Sequence, residues 1–318
     1  MGTRWNVDSL SMDSNELTRV ETGIAGDPDF EKRQAVRRSL RDYVRTVLIT
    51  LLLALLIKTF VIEAFRIPSG SMEETLLVGD FLLVNKFAYG IRTPRHLPLT
   101  KIEILSFTIP FFKDIRHGDV VVFEFPHLDA EYARQNGANY IKRCIGLPGD
   151  TVVMLGNEVF INGARLSLPR HAKQNGPVSH WQRTQRLSPA GMSYSDGRYG
   201  PIIVPKMGDT ISLDSQTIHQ WRWLIAQEGH TITFDEEKKI LLDGQRTDSY
   251  VIQQNYYFML GDNRDNSLDS RYWGFVPESN VIGEALVIYW SWNPEISVSS
   301  VSEKFGSVRW DRIGTIIK

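Results

Sequence analysis

Cysteine is nearly missing from this chain. Cys144 is the single one in 318 residues, so neither an intramolecular disulfide framework nor a Cys-x-x-Cys zinc or redox site can form. No histidine is followed by glutamate, which removes the His-Glu-x-x-His zinc helix. No glycine is followed by lysine, which removes a Walker A phosphate loop. Gly-x-Ser-x-Gly, a hydrolase nucleophile elbow, does not occur, and none of the twelve lysines has a serine three residues before it, as Ser-x-x-Lys requires. Excess charge is missing too. The formal net charge is −1, so no global positive field draws the chain to nucleic acid. No metal and no cofactor are expected.

What is present is a globular balance, 42% hydrophobic and 23% charged residues, over a length that suggests about two domains. Residues 1–45 form a polar tail split by sign. Asp8 to Glu31 holds seven acidic residues and one basic, Arg19. Lys32 to Arg45 holds six basic residues and one acidic, Asp42. The acidic block reads as a solvated, disordered tail. The basic block lies directly before the leucine-rich run Val47–Ile57, which Lys58 interrupts before Thr59–Ile62. A transmembrane helix is assigned to residues 46–65. Drawn from Val44 to Phe65, such a helix spans roughly 33 Å at ~1.5 Å per residue, enough for a ~30 Å hydrocarbon core. Lys58 and Glu63 then snorkel at one interface. A buried soluble helix is the bland alternative, but the leucines leave almost no polar face. A cleavable signal peptide fits poorly, since 46 residues precede the run and no small-x-small site follows closely. By the positive-inside rule the basic block keeps the N-terminus in the cytoplasm and places residues 66–318 outside.

Beyond residue 66 the pattern is β-rich. Phe81–Val84, Asp119–Phe125 and Asn280–Trp292 contain short β-branched or aromatic runs. Asn162-Gly163 and Asp243-Gly244 are two-residue hairpin signals inside Glu158–Leu166 and Lys239–Gln245. No long stretch here has a convincing 3.6-residue period. The expected architecture is a mainly β, membrane-anchored body behind a single transmembrane helix, with residues 151–250 inserted as a second lobe. Phe111, Phe112, Trp290 and Trp292 either rest at a lipid surface or pack as ordinary core.

Three segments carry residues that a core would not select. Ile67-Pro-Ser-Gly-Ser-Met72 follows the apolar run at once, and Pro68 and Gly70 fix a tight backbone around two serines. Alone, Ser-Gly-Ser usually marks a plain loop. In Asn139–Asp150, strand alternation puts Tyr140, Lys142 and Cys144 on one face and Ile141, Arg143 and Ile145 on the other. A lysine in a strand is usually solvated; buried, it loses its proton readily and becomes a base. Gly261–Pro277 is acid-rich, but Arg264, Ser270 and Val276 break a calcium-loop reading. A polar loop supporting a site fits better.

Together these motifs resemble the boxes of the bacterial type I signal peptidases (leader peptidases). The boxes are Ser69-Gly-Ser-Met72, Gly118-Asp-Val-Val-Val-Phe123, Tyr140-Ile-Lys-Arg143 with Gly146-Leu-Pro-Gly-Asp150, and Gly261-Asp-Asn-Arg-Asp-Asn-Ser267 through Gly274. They occur in that family's order, after a membrane run, and the resemblance covers about residue 45 to the C-terminus. It implies a serine endopeptidase that removes signal peptides, with a largely antiparallel β catalytic core from residues 66–150 and 251–318 and residues 151–250 as the inserted second lobe. Ser71 matches the nucleophile, Lys142 the general base, Ser69 the side-chain donor of the oxyanion hole, and Ser267 the serine that orients the lysine. Asp269 and Arg271 match a supporting ion pair, and Asp262 with Gly261 the structural loop. Ile67, Pro68, Met72, Leu76, Tyr140 and Ile141 match substrate-pocket residues. The implied partners are signal peptides of preproteins, the lipid bilayer and, transiently, the secretion machinery; the implied location is the bacterial inner membrane, catalytic side periplasmic. Residues 1–45 match nothing, and 166–250 align poorly. One rival is a catalytically inactive membrane-anchored peptide-binding module, which loss of Ser71 or Lys142 would have favoured. Another is a self-cleaving Ser/Lys repressor, which should carry a helix-turn-helix in place of the membrane run.

Overall fold

The computed structural model describes residues 28–73, 75–92, 108–109, 113–126, 138–156, 158–167, 198–297 and 299–318. The acidic tail up to residue 27, Phe111, Phe112 and residues 168–197 of the expected lobe lie outside them. The chain divides into two units, residues 1–57 and 58–318.

The first unit is dominated by the helix Pro28–Phe60. Its stretch Ser39–Phe60 has 22 residues, is long and apolar enough to cross a membrane, and has no residue in the buried class. Two hydroxyls inside this run bond the carbonyl one turn back, Thr46 Oγ1 to Asp42 at 2.8 Å and Thr50 Oγ1 to Thr46 at 2.9 Å. They therefore carry no unmet polar demand into an apolar surrounding. The basic block before the run is helical and continuous with it.

The helix expected to reach Phe65 stops at Phe60. Ile62–Arg66 is instead the first strand, β1, registered Ile62 on Asn85 through Arg66 on Phe81. Glu63 meets Lys86 at 3.2 Å. The apolar letters of 61–65 serve a strand as well as a membrane helix, and pairing with the next strand decides between them.

The second unit is built on a seven-stranded sheet whose neighbours are all antiparallel. Its strands are β1, β2 (Asp80–Asn85), β5 (Val120–Glu124), β6 (Asn139–Gly146), β16 (Tyr256–Leu260), β17 (Val276–Pro277) and β18 (Val281–Ser291), in the order β1-β2-β18-β5-β6-β16-β17. Both faces are covered. Val121, Phe123, Cys144, Met259 and Trp273 belong to one apolar cluster. Val120, Val122, Ile67, Met72 and Leu76 belong to another. β5 thus splits its side chains by the two-residue period of a strand, yet neither set meets water.

Smaller sheets hold the rest. Strands β7 (Thr151–Leu155), β8 (Glu158–Ile161), β9 (Ala164–Arg165) and β10 (Arg198–Ile203) form one in the order β10-β7-β8-β9. β12 (Ile232–Phe234), β13 (Ile240–Leu242) and β14 (Gln245–Arg246) form another. β3 (Ile91–Arg92) pairs with β4 (Thr108–Ile109), and β11 (Thr210–Ser212) with β15 (Ser249–Val251). The two predicted hairpins form. Asn162-Gly163 turns with φ of 52° and 82°, Asp243-Gly244 with φ of 49° and 83°, the left-handed pair that a two-residue hairpin needs. A ten-residue helix, Ile218–Gln227, was not expected. It buries Ile218, Leu224 and Ile225 in a cluster that also takes Val152, Met154 and Tyr199 from the small sheets and Ile145, Tyr256 and Phe258 from the large one.

Candidate active site

The serine segment is shaped by its own backbone. Ser69 is extended, with φ −134° and ψ 156°, and Gly70–Met72 then close a single 3₁₀ turn. Glu73 N–H bonds the Gly70 carbonyl at 3.1 Å, and Leu76 N–H bonds Met72 at 2.7 Å. The first amides of such a turn have no acceptor within it, so the Ser71 N–H is left for another partner. Ser69 is exposed, and its side chain does not cap the turn. Met72, fully buried, anchors the turn in the core while Ser71 keeps 8% of its surface.

Lys142 reaches this turn from β6. Its Nζ lies 2.7 Å from Ser71 Oγ and 3.0 Å from the Ile141 carbonyl. The Tyr140 ring centroid is 5.4 Å from the same nitrogen. The side chain is 2% exposed. Burial lowers the amine from its ordinary value near 10.5 to about 8; Asp269 and Asp262 pull it up, and Arg271 pushes it further down. A buried lysine already in contact with a serine hydroxyl is poised to take its proton.

Behind the pair lies the loop after β16. Asp269 is fully buried and gripped on both oxygens by Arg271, Nε at 2.8 Å and Nη2 at 2.9 Å, and it accepts the Gly261 N–H at 3.1 Å. Burial would raise its pKa, but the Arg271 charge and these hydrogen bonds hold it below the ordinary carboxylate value. Asp262 is gripped in the same bidentate way by Arg143, at 2.8 and 2.6 Å, both residues 1% exposed. Arg143 adds the Gly118 carbonyl at 2.6 Å, and Thr75 Oγ1 donates to Asp262 at 2.6 Å. Asn263 clamps the serine turn directly. Its N–H meets the Ser71 carbonyl at 3.1 Å, and its Nδ2 meets the Gly70 carbonyl at 3.1 Å and Glu73 at 3.2 Å. Gly261 is required by closeness. A methyl there would sit 2.1 Å from Ser267 Oγ and 2.5 Å from the Ser71 carbonyl.

Sequence comparison decides the family. Residues 40–290 match the model of the family described as signal peptidase, peptidase S26. The chain belongs to that family. Signal peptidase I of Buchnera aphidicola subsp. Schizaphis graminum is 33% identical over 99% of this chain and 95% of its own length. Signal peptidase I of Pseudomonas aeruginosa is 31% identical over 86% of this chain and 82% of its own. A solved signal peptidase I from Enterococcus faecalis V583 is 25% identical, covering 55% of this chain and 98% of that one with a TM-score of 0.25, too low to bear on the fold. The protein is thus a serine peptidase of the hydrolase class, and its N-terminal apolar helix is consistent with a membrane anchor.

Not every residue assigned a role in this peptidase sits as expected. Ser267 is fully buried, but the expected bond from its Oγ to Lys142 is not formed; the hydroxyl lies by Asp269 instead and helps to hold that carboxylate's pKa down. Lys142 instead spends its contacts on Ser71 and Ile141. The six pocket residues do not share one surface. Ile67, Met72 and Leu76 are buried in the cluster that Ile141 borders, while Tyr140 packs against the opposite cluster with Phe123. Only Pro68, Tyr140 and Ile141 keep appreciable exposure. Trp290 packs edge-on against Trp292 and Trp310, at 6.0 Å each. Arg143, Thr75 and Asn263 were missed as support residues. Their partners lie 25 to 193 positions away, beyond any local pattern.

Proposed function

We propose that the protein cleaves signal peptides from preproteins, with Ser71 as nucleophile and uncharged Lys142 as general base. The observation that carries this reading is the 2.7 Å contact between Lys142 Nζ and Ser71 Oγ, made by a lysine that burial holds near pKa 8. The amine takes the Ser71 hydroxyl proton as Oγ attacks the scissile carbonyl carbon. The developing oxyanion is met by the Ser71 N–H and the Ser69 hydroxyl, donors of a kind worth roughly 3–4 kcal/mol each. The ammonium then returns its proton to the departing amine, leaving an ester on Ser71. A water deprotonated by Lys142 hydrolyses that ester and restores the dyad. Ser267, fully buried in the loop after β16, supports Lys142 as a positioning residue. An inactive peptide-binding module would have no use for a buried amine held against a serine.

The apolar helix holds the enzyme in the inner membrane beside a membrane-embedded substrate and so raises its effective concentration. The basic block keeps the N-terminus cytoplasmic. Of the apolar residues near the dyad, Met72 is fully buried and Ile141 and Tyr140 are part-exposed, so a shallow apolar pocket beside Ser71 takes small residues such as Ala at P1 and P3, whereas large or charged ones meet clash or desolvation. Cleavage of a model preprotein in detergent by wild type and by Ser71→Ala, with a scan of P1, tests this. Only wild type should cleave, and only after small residues. Turnover by Ser71→Ala refutes the nucleophile, and efficient cleavage after Phe or Arg refutes the pocket.

A further inference from the structure

We propose that Arg312, in the C-terminal segment, is a positioning residue for Ser71, acting through Thr75 and Asp80; this rests on the Ser71–Lys142 reading above. Asp80 is fully buried. Arg312 Nη2 meets its Oδ2 at 2.6 Å, and Nε meets its two oxygens at 3.1 and 3.2 Å. Ser291 Oγ and the Leu77 N–H complete the carboxylate at 2.6 and 2.8 Å. The same Nη2 donates to the Thr75 carbonyl at 3.0 Å. Arg309 Nη2 adds the Val78 carbonyl at 2.6 Å and that of Trp292 at 2.5 Å. Thr75, Leu77, Val78 and Asp80 are therefore all held, directly or through Asp80, by two guanidinium groups from the end of the chain.

This stretch begins one turn after the nucleophile. The Leu76 N–H closes on Met72, so the Thr75–Leu76 peptide sets the height of the Ser71 turn. Thr75 is also the junction to the base. Its hydroxyl donates to Asp262, Asp262 is gripped by Arg143, and Arg143 is the chain neighbour of Lys142. Arg312, Thr75, Asp262 and Arg143 thus form one polar chain that ties the C-terminal segment to both members of the dyad. A nucleophile displaced by about 1 Å loses on the order of 100-fold in rate, so slack in this chain should appear in kcat.

The test uses the full-length enzyme in detergent, with a preprotein substrate and the variants Arg312→Ala and Arg312→Lys. Arg246→Gln, an exposed guanidinium paired with Glu237, is the control and should behave as wild type. Arg312→Ala should lose about tenfold or more in kcat with KM within about twofold, because positioning rather than binding is lost. The Arg312 side chain is 16% exposed, so millimolar guanidinium should enter the gap and restore much of kcat where equal sodium chloride does not. Arg312→Lys keeps the charge beside Asp80 and hence the fold. One ammonium cannot reproduce both the fork on Asp80 and the bond to Thr75, so kcat should still drop severalfold. Wild-type kcat in a folded Arg312→Lys, or a loss confined to KM, overturns the proposal even if Arg312→Ala fails to fold. Ser71→Ala is run alongside: residual cleavage by it sinks the dyad reading, whereas a fully active Arg312→Lys beside an inactive Ser71→Ala sinks this inference alone.

Discussion

The pH dependence of cleavage follows from the placement of Lys142. Burial puts its amine near pKa 8, against about 10.5 for the ordinary side chain. Baring the amine at pH 7 then costs about 1.4 kcal/mol, where a solvated lysine would cost roughly 5 kcal/mol. With a pKa of about 8, roughly one enzyme in eleven holds the neutral amine at pH 7 and ten in eleven at pH 9. Initial rates of preprotein cleavage at low substrate, from pH 6 to 10 at constant ionic strength, should therefore rise about tenfold between pH 7 and 9. The log-rate plot should climb with unit slope at acid pH and bend over near pH 8. A lysine left near its ordinary value would instead give about a hundredfold rise over the same interval, with no bend below pH 10. A straight climb to pH 10, or a flat profile, would refute the reasoning that the buried amine is the base.

The same burial should be visible in stability. A lysine whose amine is lowered on folding binds fewer protons when folded, so it destabilises the protein below pH 8, and that penalty fades as pH rises from about 8 to about 10.5. Lys142→Met should thus melt higher than wild type at pH 7, by up to about 3 kcal/mol, with the gap closing at pH 10.5; a gap independent of pH would contradict this. Gly261→Ala drives a methyl to within 2.1 Å of Ser267 Oγ and 2.5 Å of the Ser71 carbonyl. It should cost about 1–3 kcal/mol of stability by overpacking and on the order of 100-fold in kcat by moving the serine. Differential scanning fluorimetry and steady-state kinetics read the two effects, and near-normal turnover would show that the turn tolerates displacement.

Much of this architecture was legible because it is local. Asn162-Gly163 and Asp243-Gly244 announce their hairpins, since few other pairs tolerate two successive left-handed residues. Alternation in β6 correctly set Tyr140 beside Lys142, as their 5.4 Å approach confirms. Alternation alone was silent on depth. With both faces of the sheet covered, Lys142 and Arg143 point opposite ways and are both buried. The end of the N-terminal apolar helix was misplaced because Val61–Phe65 is apolar enough for either fate, and only its register on β2 distinguishes them. The helix Ile218–Gln227 escaped notice for its brevity, with only Ile218, Leu224 and Ile225 buried among polar and aromatic neighbours. The support network is non-local by construction: Arg143 and Asp262 lie 119 positions apart, and Asp80 and Arg312 232 apart. A sequence pattern can nominate such charges, but pairing is decided by which strands the sheet brings side by side.

The most direct measurement of the central claim is single-turnover cleavage of a preprotein by Lys142→Arg, with its melting curve recorded in the same detergent. Arginine keeps the cation and its length but holds its proton at every accessible pH, so it offers no lone pair to the Ser71 hydroxyl 2.7 Å from the native amine. The expected result is a folded enzyme with almost no cleavage from pH 7 to 10, as inactive as Ser71→Ala. Substantial, pH-dependent turnover by folded Lys142→Arg would mean that another group takes the proton, and the dyad would have to be abandoned.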